Sequence, residues 1–199
     1  MIGPVLGCAA LAVLELDAAL VAQTLVSRPL VVGAAFGAMS GEPWLGALLG
    51  GTFELLGLAD LPVGGHISWS APTAAGVAAL LAGQDVSLSL CLAGGLAAGL
   101  LHCRLELMER ARRAATADAL ASAALAGERT VGAALLASLA GHAAMTFVVS
   151  LSVVAATALI ERHVWWRAPE FARHGAAWVA MSAPWIGLSN AAVWGFKRA

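Results

Sequence analysis

The chain has 199 residues, 60% of them hydrophobic and only 12% charged, with a mean hydropathy of +0.85. A water-soluble domain carries about 25% charged residues, so this composition excludes a soluble surface wrapped around one core. Eleven Lys and Arg against twelve Asp and Glu leave a net charge of -1, and no basic run with interleaved aromatics occurs, which excludes nucleic-acid binding. What remains is an all-α membrane protein: a polytopic helical bundle with re-entrant or discontinuous short helices, forming a single transmembrane domain over 1–199.

In chain order, residues 2–25 read as a first span. No basic residue precedes this stretch, so it is expected to stay as a helix rather than be removed as a signal. Glu15 and Asp17 lie within it, two residues apart, which points them to different faces; one is expected to face inward. Arg28 precedes Pro29. Proline pushes its predecessor out of the helical region and suits the first turn of the next helix, which places Arg28 at the mouth of a helix.

The middle of the chain is broken. Residues 29–39 are apolar until S-G-E-P interrupts, and 44–58 resumes; 73–83 is apolar until G-Q-D interrupts, and 86–101 resumes. Three of these pieces are too short to cross a bilayer, and the last suffices only if it continues into the basic stretch after residue 101. Short interrupted segments mark re-entrant or discontinuous helices in transporters, where broken backbone lines a cavity or is buried in protein. Gly33, Gly37, Gly41, Gly46 and Gly50 recur at intervals of four or five, a spacing that lets helices approach closely. Glu54 sits among glycines and bulky apolar residues, where a carboxylate is a hydroxyl acceptor or a partner for Arg28.

Residues 1–101 hold one cation, Arg28, against six acids, whereas the other Lys and Arg lie from Arg104 onward. The positive-inside rule assigns the basic segment, 102–130, to the cytoplasm, as a helix lying on the membrane or extending from a span. Further spans are expected over 131–160 and 176–196, with Trp165, Trp166, Trp178, Trp185 and Trp194 forming an aromatic belt. His142 lies mid-span, where an ionisable group is a pathway candidate. Cys8, Cys91 and Cys103 have no metal-binding or disulfide spacing and read as small buried hydrophobes. A-M-S-G at 38–41 with distant His142 lacks the first glycine of a rhomboid protease motif, which argues against an intramembrane enzyme.

Three pieces together resemble a known family: the acid before S-R-P-L (Asp17, Ser27 to Leu30), G-G-T-F-E (Gly50 to Glu54) and L-P-V-G-G (Leu61 to Gly65). In this order, over residues 5–105, they are similar to the IIC channel subunit of the mannose/sorbose-type bacterial sugar phosphotransferase system. The resemblance implies a multi-pass inner-membrane transport subunit. It would move a hexose-like sugar while separate IIA and IIB subunits phosphorylate it, and would need no cofactor, metal or catalytic residue of its own. It implies pairing with a IID membrane subunit and assembly as a trimer of such pairs. It also favours Asp17 over Glu15 as the inward acid. The expected sugar-binding residues are Asp17, Arg28 and Glu54, with His66 and Gln23 as neighbours. Two departures support a second reading, an orphan membrane protein acting as an uncoupled transporter or scaffold. The stretch after V-G-G is H-I-S-W-S-A-P-T, where the family often carries paired acids, and the usual subunit runs some tens of residues longer.

Overall fold

A computed structural model describes residues 2–19, 25–58, 67–125 and 128–196. The described residues form seven α-helices: α1 (Ile2–Ala19), α2 (Pro29–Met39), α3 (Pro43–Gly57), α4 (Ala71–Ala82), α5 (Leu88–Ala124), α6 (Glu128–His163) and α7 (Glu170–Phe196). Single 3-10 turns, Leu25–Ser27 and Trp165–Arg167, precede α2 and α7.

The breaks fall where the sequence places them. α2 opens with Pro29 in its first turn, behind Arg28 in extended backbone (φ -65°, ψ 137°). It closes at Ser40 and Gly41, and Gly41 has a φ of +87°, a left-handed conformation that costs a side-chain-bearing residue about 1–2 kcal/mol. α3 restarts on Pro43. At 1.5 Å per residue, α2 is only about 16 Å long against a hydrocarbon core of about 30 Å, so it turns back rather than crossing.

α2 and α3 form an antiparallel hairpin in which glycine faces glycine. A Cβ on Gly37 would sit 2.8 Å from the Gly46 Cα, and one on Gly33 would sit 2.7 Å from the Gly50 Cα. With no hydrophobic effect between helices in lipid, close backbone contact of this kind supplies the attraction. Gly41 belongs to the turn and not to this face.

α4 is the centre of the molecule. Every residue from Thr73 to Ala82 is buried, against α1, α2, α3, α5 and α6. Around it pack Leu11 of α1, Val32 and Phe36 of α2, Leu49 and Phe53 of α3, Cys91 and Ala98 of α5, and Val154 of α6. Ser70 caps α4 by accepting from the Thr73 N–H at 3.2 Å.

α5 and α6 are long, 37 and 36 residues. Both are apolar enough to cross a membrane, over Leu88–Ser122 and Val131–Arg167, and only a third of either window is buried. That exposure distinguishes them from the core helices of a soluble protein. α5 runs from 88 through the basic stretch without interruption; the piece beginning at 86 therefore does continue, and the basic segment extends from a span. The two helices pack antiparallel, held at Arg113–Ser138 (2.9 Å) and His102–Thr146 (2.9 Å). α7 presents Trp178 and Trp185 outward, 73% and 72% exposed.

Candidate functional site

Two of the sequence-expected residues meet at one end of the short helices. Arg28 Nη1 lies 3.7 Å from Glu54 Oε1, and Glu54 Oε2 accepts the Leu30 N–H at 3.1 Å. The reason is local: Pro29 starts α2 with its first amides unpaired, and the carboxylate from α3 is drawn to that positive end. The pair sits at a mouth of the molecule and not deep in its interior. The Arg28 side chain is 57% exposed and that of Glu54 28%, because Arg28 precedes α2 rather than lying within a packed helix.

Behind the pair is a cavity of about 270 Å³, walled by Ser27, Gly57, Ser68, Trp69 and Pro72 besides Arg28 and Glu54. Its size suits a monosaccharide, since pockets for larger ligands run about 300–1,000 Å³. Trp69 is an addition to the sequence-expected set. It lies in the H-I-S-W-S-A-P-T stretch and stacks edge-on to Phe53 with centroids 5.9 Å apart. The chemistry of these walls matches a polyol. A carboxylate accepts from hydroxyls, a guanidinium donates to them, and an indole face covers the apolar C–H side of a sugar ring.

A larger cavity, about 850 Å³, opens at the opposite ends of α2 and α4, where Met39, Ser40, Leu80 and Gly83 meet α1 and α6. Asp85 and Arg162 supply its charged groups.

The remaining expected residues fare differently. Gln23 and His66 lie outside the described residues. Asp17 is half-buried on the last turn of α1 and is not among the residues lining either cavity. The inward acid is Glu15, 4% exposed, which accepts the Ser70 Oγ–H at 2.7 Å. Helix phase explains the correction. Cys8, Leu11, Ala12 and Glu15 share one buried stripe, whereas Asp17 follows Val13, 66% exposed, by one turn. His142, the mid-span candidate, is fully buried, with its ring edge-on to His102 at 5.2 Å between centroids. Among the described residues, no three His, Cys, Asp or Glu side chains are grouped closely enough to hold a metal ion.

A family model described as the sorbose-specific IIC component of the PTS system matches residues 4–190. The chain belongs to this family. The match covers α5, α6 and most of α7 as well as the motif-bearing half, which is all that the sequence resemblance covers in detail. A comparison with individually curated proteins finds no match. IIC components are sugar-transport subunits of the phosphotransferase system and components of the membrane, which fits a chain with two helices able to cross one.

Proposed function

We propose that this IIC component binds a hexose-like sugar between Arg28, Glu54 and Trp69 and passes it across the inner membrane, coupled to phosphorylation by a separate IIB subunit. The observation that carries the reading is the joint presence of a carboxylate, a guanidinium and an indole on one monosaccharide-sized cavity. That cavity opens at one end of α2 and α4, and a second opens at their other end. Helices of this length leave a thin barrier between two mouths, which suits movement of a small solute past them. Gln23 and His66 complete the proposed polar lining.

The outer surfaces fit a membrane assembly. Phe171, Trp178 and Trp185 of α7 are each more than 70% exposed; they suit contact with lipid or with a IID subunit, in a trimer of such pairs. The basic half of α5, Arg104 to Arg113, is assigned to the cytoplasm.

Uptake of labelled sorbose and mannose by cells expressing the chain with IIB and IID subunits tests the reading. Glu54→Gln keeps the shape and removes the charge. Uptake falls at least tenfold, because a hydrogen bond to a charged group contributes about 1.5–3 kcal/mol, while yield and melting temperature stay near wild type. Wild-type uptake by the variant contradicts the reading. Loss of yield alone assigns Glu54 the structural task of neutralising Arg28.

A further inference from the structure

A second group of polar side chains lies in the core, on different residues from the cavity. Glu15 of α1, His102 of α5 and His142 of α6 are each 4% exposed or less, in apolar surroundings. Hydrogen-bond directions constrain their protons. Thr146 Oγ1 lies 3.0 Å from the His142 carbonyl, to which it can only donate, and 2.9 Å from His102 Nε2, from which it accepts when its one hydrogen is on that carbonyl. In that arrangement His102 Nε2 carries a hydrogen. In a neutral imidazole the other nitrogen, Nδ1, is then a bare lone pair. That lone pair faces Glu15 Oε1 at 3.9 Å. An ionised carboxylate opposite a bare imidazole nitrogen is two acceptors with no hydrogen between them, and neither His102 Nδ1 nor Glu15 Oε2 has another hydrogen-bond partner among the described residues. One added proton resolves the arrangement, whichever atom carries it.

The group also has a route outward. His142 has no hydrogen-bond partner on either ring nitrogen among the described residues, and its Nδ1 lies 3.6 Å from Glu109 Oε2. Glu109 is 17% exposed and borders the basic stretch, within 4.0 Å of Arg112 and Arg113. Glu106, 8% exposed and one turn from His102 on α5, also faces the group and is itself paired with the half-exposed Arg110. From α4 the group meets only the Ser70 hydroxyl and the Thr73 side chain, and Asp17 follows two residues along α1.

The geometry points to an intramembrane proton-binding site, in which one proton is shared by Glu15 and His102, exchanges through His142 and Glu109, and communicates with the cavity through Ser70. A proton enters on the Glu109 carboxylate and passes to His142 Nδ1; the His142 ring, edge-on to His102 with 5.2 Å between centroids, releases one in turn, and the net result is one hydrogen between His102 Nδ1 and Glu15 Oε1, with only bonds to hydrogen made and broken. Ser70 is the link because it donates to Glu15, caps α4 and adjoins Trp69 in the cavity wall. Protonating Glu15 replaces a charge-assisted bond to Ser70 with a weaker one. The consequence, sugar occupancy in step with proton occupancy, rests on the cavity reading above; the site itself does not.

Infrared difference spectra of the purified chain, taken across the pH range in which carboxyl and imidazole groups titrate, test the site. The wild type loses a protonated-carboxyl C=O band as pH rises. Glu15→Gln lacks that band, and Glu54→Gln keeps it. His102→Gln, which retains the carboxyl, moves the midpoint, and this variant decides the matter if Glu15→Gln fails to fold. The same band titrating in Glu15→Gln, no such band in the wild type, or an unmoved midpoint in His102→Gln overturns the proposal. The Trp69 fluorescence, taken as the difference between wild type and Trp69→Phe, follows the band and stops following it in Ser70→Ala; a signal indifferent to the band's titration overturns the coupling. Failure of sorbose to bind leaves the band in place, so it counts against the cavity reading and not against the proton site.

Discussion

Replacing Gly46 with alanine perturbs the α2–α3 hairpin at its closest point. The new Cβ overlaps the Gly33 carbonyl oxygen and lies 2.6 Å from the Gly37 Cα and 3.0 Å from its nitrogen. All three are backbone atoms, so no side chain swings aside, and the hairpin has to open by several tenths of an ångström to an ångström. Overpacking of this kind costs about 1–3 kcal/mol, and alanine recovers up to about 1 kcal/mol through its helix propensity. The net loss is about 1–2 kcal/mol, or roughly 2–8 °C of melting temperature for a chain of this size. Gly51→Ala is the matched control. Its Cβ meets only the Leu30 Cδ1 at 3.6 Å, an ordinary contact, so the same propensity gain comes without the clash. Melting followed by circular dichroism or dye binding in detergent separates them. Equal stability of the two variants refutes the close glycine packing on which the hairpin, and hence the placing of Arg28 against Glu54, depends.

Ser70→Ala removes both the cap of α4 and the hydroxyl bonded to Glu15; losing a cap costs about 1 kcal/mol and an unsatisfied buried acceptor about 1–3 kcal/mol, read as a lower melting temperature. Thr146→Val leaves buried His102 Nε2 without its partner, while the His142 carbonyl keeps its helical bond; the loss is about 1–3 kcal/mol, and wild-type melting contradicts the α5–α6 geometry. Gly41→Ala costs about 1–2 kcal/mol because its φ is +87°. A cysteine introduced at exposed Ala114, with the three native cysteines replaced, is protected from an impermeant maleimide added to intact cells; efficient labelling reverses the assigned orientation.

The features legible in the sequence are those that a single residue enforces. Arg28 at a helix mouth, and the break at 40–43, follow from Pro29, Pro43 and Gly41, whose backbone preferences are local, whereas the break at 83–85 turns on Asp85, at a φ of 58°. Pairing across helices is less legible. The glycine spacing announces a close approach without naming the partner helix. The preference for Asp17 comes from a motif position, whereas the buried stripe Cys8, Leu11, Ala12, Glu15 marks Glu15 by spacing alone.

Of the polar core, His102 is the member hidden in the sequence, because the residues around it read as the start of a basic surface segment. Two stripes carry the signal, each repeating every three or four residues: His102, Glu106 and Glu109 among the charges of α5, and His142, Thr146 and Ser150 within apolar sequence of α6. Trp69 stands in a short polar stretch, where a lone aromatic carries no spacing signal for a cavity wall. The length of α5 is obscured by its charges, since hydropathy falls at Arg104 while the helix does not end.

A structure of the chain with mannose or sorbose bound decides where the sugar sits. It is expected in the smaller cavity, its hydroxyls within hydrogen-bond distance of Glu54 and Arg28 and one ring face on Trp69. The Arg28–Glu54 separation of 3.7 Å would open to admit it. Sugar bound elsewhere, with that pair still closed and the Trp69 wall empty, contradicts sugar binding by Arg28, Glu54 and Trp69.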